Sequence, residues 1–183
     1  MSFSWYAVSV KPRHERSVSL ILENKGLEVF SPTCRMIRRW SDRIKNIEMP
    51  LFPGYVFGRF GFEQRMAVLM SPGVNAIVSA GRQPAPVLEE EIQAVQRIIA
   101  SGRHTVPWPY LAAGRKVQIV AGCLEGLTGT VVRDKSIYRV VVNVELLQRS
   151  VAVEIARDDL APSSPPHNTV SQLSLGPAGP VWQ

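Results

Sequence analysis

The sequence predicts an α+β protein in two parts. An N-terminal α/β sandwich on an antiparallel sheet is followed by a flexible linker and a small C-terminal β-barrel. Three observations carry this expectation. The first hundred residues alternate β-branched or aromatic runs with amphipathic helical segments, in the order strand, helix, strand, strand, helix, strand, helix. Residues 101–113 lose all periodicity and hold Gly102, Pro107 and Pro109, with Gly114 just beyond. Beyond Gly114 come only short strands, punctuated by Gly122, Gly126 and Gly129. The roughly fifty residues of that segment are too few to stack two sheets, so a small closed barrel is the economical solution.

Residues 5–10 are rich in aromatic and β-branched side chains and form the first strand. Lys11-Pro12-Arg13 breaks it, and a helix begins at His14. Val18, Ile21, Leu22 and the stem of Lys25 share one side of that helix; Glu15, Arg16, Ser19 and Glu23 are expected to point away. Gly26 is placed to cap its C-terminus. Residues 27–30 return to strand. Residues 35–48 are polar and basic and form a hairpin or long loop. Residues 51–60 are the next strand, opened by Pro53-Gly54. A short helix over 62–70 should bury Phe62, Met66, Leu69 and Met70. Ser71-Pro72-Gly73 is a turn, residues 74–78 a strand and residues 81–86 a loop. A helix over 89–100 starts with Glu89, Glu90 and Glu91, which favour the positive end of its dipole. Trp108 and Tyr110, in the linker, are free to pack on either neighbour. In the barrel, residues 116–120, 128–132, 138–144 and 150–155 are the strands, and residues 158–160 close the pattern. Residues 161–183, rich in Pro, Ser and Gly, should form a disordered tail.

Composition narrows the function. The chain has 183 residues, and 45% are hydrophobic against 20% charged, which suits a folded globular protein. The net charge of +6 favours nucleic acid or an acidic partner surface, though solubility alone accounts for it equally well. No apolar run is long enough to span a membrane, and the N-terminus lacks a signal-peptide pattern. Cys34 and Cys123 lie far apart in no metal spacing, which fits small, partly buried thiols in a reducing cytoplasm. His14, His104 and His167 are scattered, and no HExxH, serine elbow or CxxC pair is present. No enzyme, metal or cofactor is expected.

Three features stand above that background. In Pro50-Leu51-Phe52-Pro53-Gly54-Tyr55-Val56-Phe57, strand alternation sets Tyr55, Phe57 and Arg59 on one face and Val56, Gly58 and Phe60 on the other. Both faces are apolar, so one covers the core and the other is buried by the chain or offered to a partner. Residues 114–131 contain a glycine series at 122, 126 and 129. It is not a phosphate loop, because no lysine follows the last glycine and strands flank it on both sides; the glycines instead allow tight turns with positive φ. Lys11, Arg13 and Arg16, with the basic 35–45 stretch, offer phosphate contacts, against the plain alternative of solvated surface charge.

These residues resemble a known family. Trp5-Tyr6-Ala7-Val8 is similar to the opening strand of the N-terminal (NGN) domain of NusG-type transcription factors. Pro50 to Phe57 resembles that domain's Phe-Pro-Gly-Tyr signature. Pro72-Gly73-Val74 and Arg82-Gln83-Pro84-Ala85-Pro86, followed by the acidic helix, look like its later landmarks. Residues 114–131, with Gly122, Leu124, Gly126 and Gly129, look like a KOW module, the SH3-like barrel of the same family. The resemblance implies an NGN domain over 1–100, a linker over 101–113, a KOW barrel over 114–161 and a tail over 162–183. It implies a monomeric elongation or antitermination factor that binds the clamp helices of the largest RNA polymerase subunit through Phe52, Pro53, Gly54, Tyr55 and Phe57. Tyr55 and Phe57 would then face the partner, and Val56 and Phe60 the core. Holding the clamp closed would favour processive elongation. Lys11, Arg13 and Arg16 would meet upstream or non-template DNA. The barrel would recruit a small-subunit ribosomal protein or a termination factor. The wording of the signature is closer to the RfaH-like and UpxY-like antiterminators of polysaccharide operons than to the housekeeping factor. A ribosome- or RNA-binding KOW protein is the remaining alternative.

Overall fold

The computed structural model describes residues 3–39, 44–134 and 136–163. In chain order its elements are β1 (Ser4–Val10), α1 (Glu15–Asn24), β2 (Glu28–Phe30), β3 (Thr33–Arg39), β4 (Ile44–Pro50), β5 (Tyr55–Phe60), α2 (Arg65–Leu69), β6 (Val74–Ile77), β7 (Ser79–Ala80), β8 (Gln83–Pro84), β9 (Pro86–Val87) and α3 (Glu89–Ala100). Then come β10 (Thr105–Pro109), β11 (Lys116–Ile119), β12 (Thr128–Asp134), β13 (Ile137–Val144), β14 (Arg149–Ile155) and β15 (Leu160–Pro162). No helix among the described residues is long and apolar enough to cross a membrane.

The N-terminal sheet runs β2-β5-β1-β6, all antiparallel, with β9 also pairing β1. Its register sets Val8 opposite Val56 and Ala7 opposite Phe57. Alternation then gives the two faces different partners. On one face Val8, Val10, Val56 and Phe60 pack with Val18 and Leu22 of α1 and Val68 of α2. On the other, Trp5, Ala7, Phe57 and Val87 pack with Ile92, Val95 and Ile98 of α3. The β3–β4 hairpin forms its own two-stranded ladder, with Cys34 buried at its base. That burial pushes the Cys34 thiol up.

The C-terminal sheet has the order β10-β14-β13-β12-β11-β15, again all antiparallel. Among the described residues its end strands, β10 and β15, are not bonded to each other. Val117, Ile119, Leu124, Val140, Val142, Val151 and Val153 fill its interior. They belong to the same apolar cluster as α3 and Phe57, so the interior is continuous from one half of the molecule to the other.

Four expectations need correction. Glu15 and Ser19 are buried, not turned to solvent. The Ser19 hydroxyl donates to the Glu15 carbonyl at 2.8 Å, which satisfies it inside the helix. Second, Phe62, Met66, Leu69 and Met70 are exposed, and it is Val68 that enters the core. The α-helix spans only Arg65–Leu69 after a 3-10 turn at Phe62–Gln64, too short to bury a long stripe. Third, five residues of the expected linker are strand: β10 pairs along β14 from Thr105 with Val153 to Pro109 with Arg149. Prolines are tolerated there because β10 is an edge strand. Fourth, Pro162 lies in β15 opposite Val117, so the sheet runs one residue past the expected barrel boundary. The loop over 81–86 also holds a small ladder, β7 with β8. Residues 164–183, expected as a disordered tail, lie outside the described residues, as does Arg43 of the basic hairpin.

Candidate partner-binding face

The Phe52–Phe57 segment is held by its turn. Gly54 has φ of 83°, a left-handed value that a side chain would strain. Its amide donates to Glu15 Oε1 at 2.8 Å, and its carbonyl accepts the Val10 amide at 2.9 Å. The turn is thus tied to both α1 and β1. Beyond it, Tyr55 and Phe57 lie on the α3 side of the sheet, and Val56 and Phe60 on the α1 side. Phe52 meets Phe57 edge-to-face with centroids 5.2 Å apart, and Phe30 adds a tilted contact at 6.2 Å.

This face is not open. Phe57 is 0% exposed and Phe52 1%, buried in the cluster that α3 and the C-terminal sheet complete. Pro53 is exposed, and Gly54 and Tyr55 are half-buried. In this conformation the chain itself covers Phe52 and Phe57, the two rings expected to meet a partner. Alternation assigned their side of the sheet correctly, but the chain's own elements cover it. Beside this shared apolar cluster, the C-terminal half reaches the face and α3 through polar and ring contacts that the sequence did not disclose. The Arg149 guanidinium lies over the Tyr55 ring at 5.4 Å. Arg97 Nη2 of α3 donates to the Glu125 carbonyl at 2.6 Å. The Glu145 amide donates to Glu91 Oε1 at 3.2 Å. No sequence spacing reports such pairs, since they join residues 28 or more positions apart.

Charge at this junction is uneven. Burial holds the Glu91 carboxyl above the usual carboxylate range, and the charges of Glu145 and Glu90 push the same way against the Glu145 amide. Glu145 moves down, chiefly because the Tyr110 hydroxyl donates to it and then because Asn143 does.

The expected nucleic-acid residues lie on the other side of the sheet. Lys11, Arg13 and Arg16 are all exposed around the start of α1. Arg13 adopts φ of 66°, uncommon for a residue with a side chain. Arg13 and Arg16 line a cleft of about 470 Å³ that reaches the β3–β4 hairpin and also carries Glu23 and Glu48. Lys11 does not line that cleft. Its amide donates to the Gly73 carbonyl at 2.8 Å, fixing the turn that leads into α1.

The glycine series of the C-terminal half divides into two roles. Gly122 and Gly126 have φ of 82° and 84° and form the turn that buries Leu124. Gly129 is different from expectation: it has no positive φ. A Cβ there would lie 2.6 Å from Val140 Cγ1 and 2.7 Å from the Val141 carbonyl, so close packing is what excludes a side chain.

Comparison with known proteins gives consistent results. The sequence profile of the family described as "Transcription termination factor nusG" matches residues 3–96. The chain is similar to the transcription termination/antitermination protein NusG of Thermus thermophilus, 27% identical over 176 residues, covering 85% of this chain and 96% of that protein. It is also similar to the protein of the same name from Helicobacter pylori strain J99, 24% identical over 164 residues, covering 82% and 93%. Among solved structures it matches one described as "Domain interaction in Thermotoga maritima NusG", with a TM-score of 0.53 and 23% identity over 90% of this chain and 99% of that one. That likeness speaks to the fold.

Proposed function

The chain belongs to the NusG family of transcription termination/antitermination factors, and from that premise we propose that it binds the clamp helices of RNA polymerase through the Pro53, Tyr55 and Phe57 face, in the cytoplasm and as a monomer. The observation that supports this reading is the placement of Tyr55 and Phe57 on the side of the sheet away from α1, with Pro53 exposed at its rim. Binding then requires the contacts of the C-terminal half at Tyr55, Glu91 and Arg97 to give way. A partner preferring the uncovered state shifts the population towards it, at the expense of part of its affinity. Lys11, Arg13 and Arg16 meet the phosphates of upstream or non-template DNA. The freed C-terminal domain recruits a small-subunit ribosomal protein or a termination factor. The role is processive transcription of a polysaccharide-type operon.

Affinity for a reconstituted elongation complex tests the two surfaces together. Tyr55→Ala should weaken binding about tenfold at every salt concentration. Arg149→Ala, which loosens the cover, should strengthen it. Lys11→Ala with Arg16→Ala should reduce the slope of log K against log salt by about 2. Wild-type binding by Tyr55→Ala would remove the proposed face.

A general role, coupling polymerase to a termination factor or the ribosome, is the second reading. The names of the Thermus and Helicobacter relatives favour it. A gene at the head of a surface-polysaccharide operon supports the first reading; one among ribosomal-protein and secretion genes supports the second.

A further inference from the structure

A groove of about 500 Å³ lies at the junction of the two halves, with the Tyr55, Trp108 and Tyr110 rings, Gln148 and Arg149 among its walls. That volume is in the range of sites that hold small organic ligands. All three rings are half-buried, so each still shows part of its surface. Each is also held in place. The Arg149 guanidinium lies over Tyr55 at 5.4 Å and that of Arg139 over Trp108 at 5.5 Å, and the Tyr110 hydroxyl donates to Glu145. Rings fixed before a ligand arrives lose little freedom when they stack on it.

Charge narrows the ligand further. Arg139 does not line the groove and is paired with Glu154 at 3.1 Å; Glu145 does not line it either. Arg149 is thus the one charged side chain in the walls among the described residues. It is exposed and forms no ion pair among them. Beside it, Gln148 adopts a left-handed φ of 49°, uncommon for a residue with a side chain and of the kind that clusters at ligand clamps. Its amide nitrogen donates to the Glu145 carbonyl at 2.9 Å, so its amide oxygen remains to accept a hydrogen bond. Flat rings, one unpaired guanidinium and one amide acceptor complement a planar, amine-bearing base joined to a phosphate. Stacking serves the base, and Arg149 serves the phosphate.

We propose that this groove binds an adenine nucleotide, free or as one residue of a single strand. Tyr55 belongs to the N-terminal sheet and the other walls to the C-terminal half, so the ligand bridges the two and favours the closed arrangement. The proposal does not depend on the polymerase reading, and its test contains no polymerase. The full chain, isotopically labelled for NMR, is titrated with adenosine monophosphate, adenosine and oligoriboadenylate. Adenosine monophosphate should shift the Trp108 indole N–H and the backbone amides of Tyr110, Gln148 and Arg149. Arg149→Ala should weaken the monophosphate about tenfold and leave adenosine unchanged. Equal weakening of both would mean that Arg149 only holds the halves together, and would overturn the proposal. Shifts confined to Lys11, Arg13 and Arg16, or none at millimolar ligand, would overturn it too. Of the two supporting results, tighter binding of the oligonucleotide assigns the groove to a single strand, and equal or weaker binding assigns it to the free nucleotide.

Discussion

Two buried residues that are not apolar in the ordinary sense, Glu15 and Gly129, fix the backbone around them. Glu15 would be costly to bury alone, but its carboxylate accepts the Gly54 amide and so fixes the turn that aims Tyr55. Gly129 sits in β12 against Val140 and the Val141 carbonyl of β13. A backbone carbonyl cannot move aside as a flexible side chain can. Gly129→Ala should therefore lower stability by about 1–3 kcal/mol. Denaturant melts of the full chain would show this, and an unchanged midpoint would mean that β12 shifts freely. Both residues looked different in the sequence. Glu15 had the spacing of a solvent-facing position, and Gly129 resembled another turn glycine.

At the scale of elements, α2 gives the clearest test of how a short helix chooses its buried side. With one turn and a 3-10 lead, only Val68 reaches the sheet, while Phe62, Met66 and Met70 remain exposed. Met66→Lys with Met70→Lys should change stability by no more than about 0.5 kcal/mol, whereas Val68→Ala should cost roughly 1.5–3 kcal/mol. The reverse order in thermal melts would reinstate the apolar stripe that periodicity suggests. Longer elements left less to chance. β1, α1, β5, α3, β12, β13 and β14 were legible because period and length agree over six residues or more. β10 was not, since prolines and a break in pattern conceal a strand whose hydrogen bonds come from β14, some forty residues away. The candidate site was legible as a strand face. Its cover was not, because Arg149, Arg97 and Glu91 act through pairings that only the folded chain brings together.

For the whole molecule, the junction between the two halves should respond to acid with a definite sign. Glu91 has a raised carboxyl in the folded chain, from burial first. Its ionised form is therefore disfavoured by folding. The resulting penalty is full above the raised value, declines as the pH falls through it and is absent below the ordinary carboxylate value. Glu91→Gln should accordingly raise the melting temperature at neutral pH, with the gain vanishing in acid. Glu145 runs the opposite way, since its depressed carboxyl contributes stability at neutral pH that is lost as the pH falls. A Glu91→Gln variant that gains only in acid would reverse the assignment. The contact of Arg149 with Tyr55 also orders events on the ribosome. The N-terminal sheet is complete at β9, well before β14 is synthesised, and at about 5–20 residues per second the gap lasts seconds. During that interval Arg149 does not yet exist to cover Tyr55. A newly made chain thus leaves the Tyr55 ring without its Arg149 cover until β14 is in place.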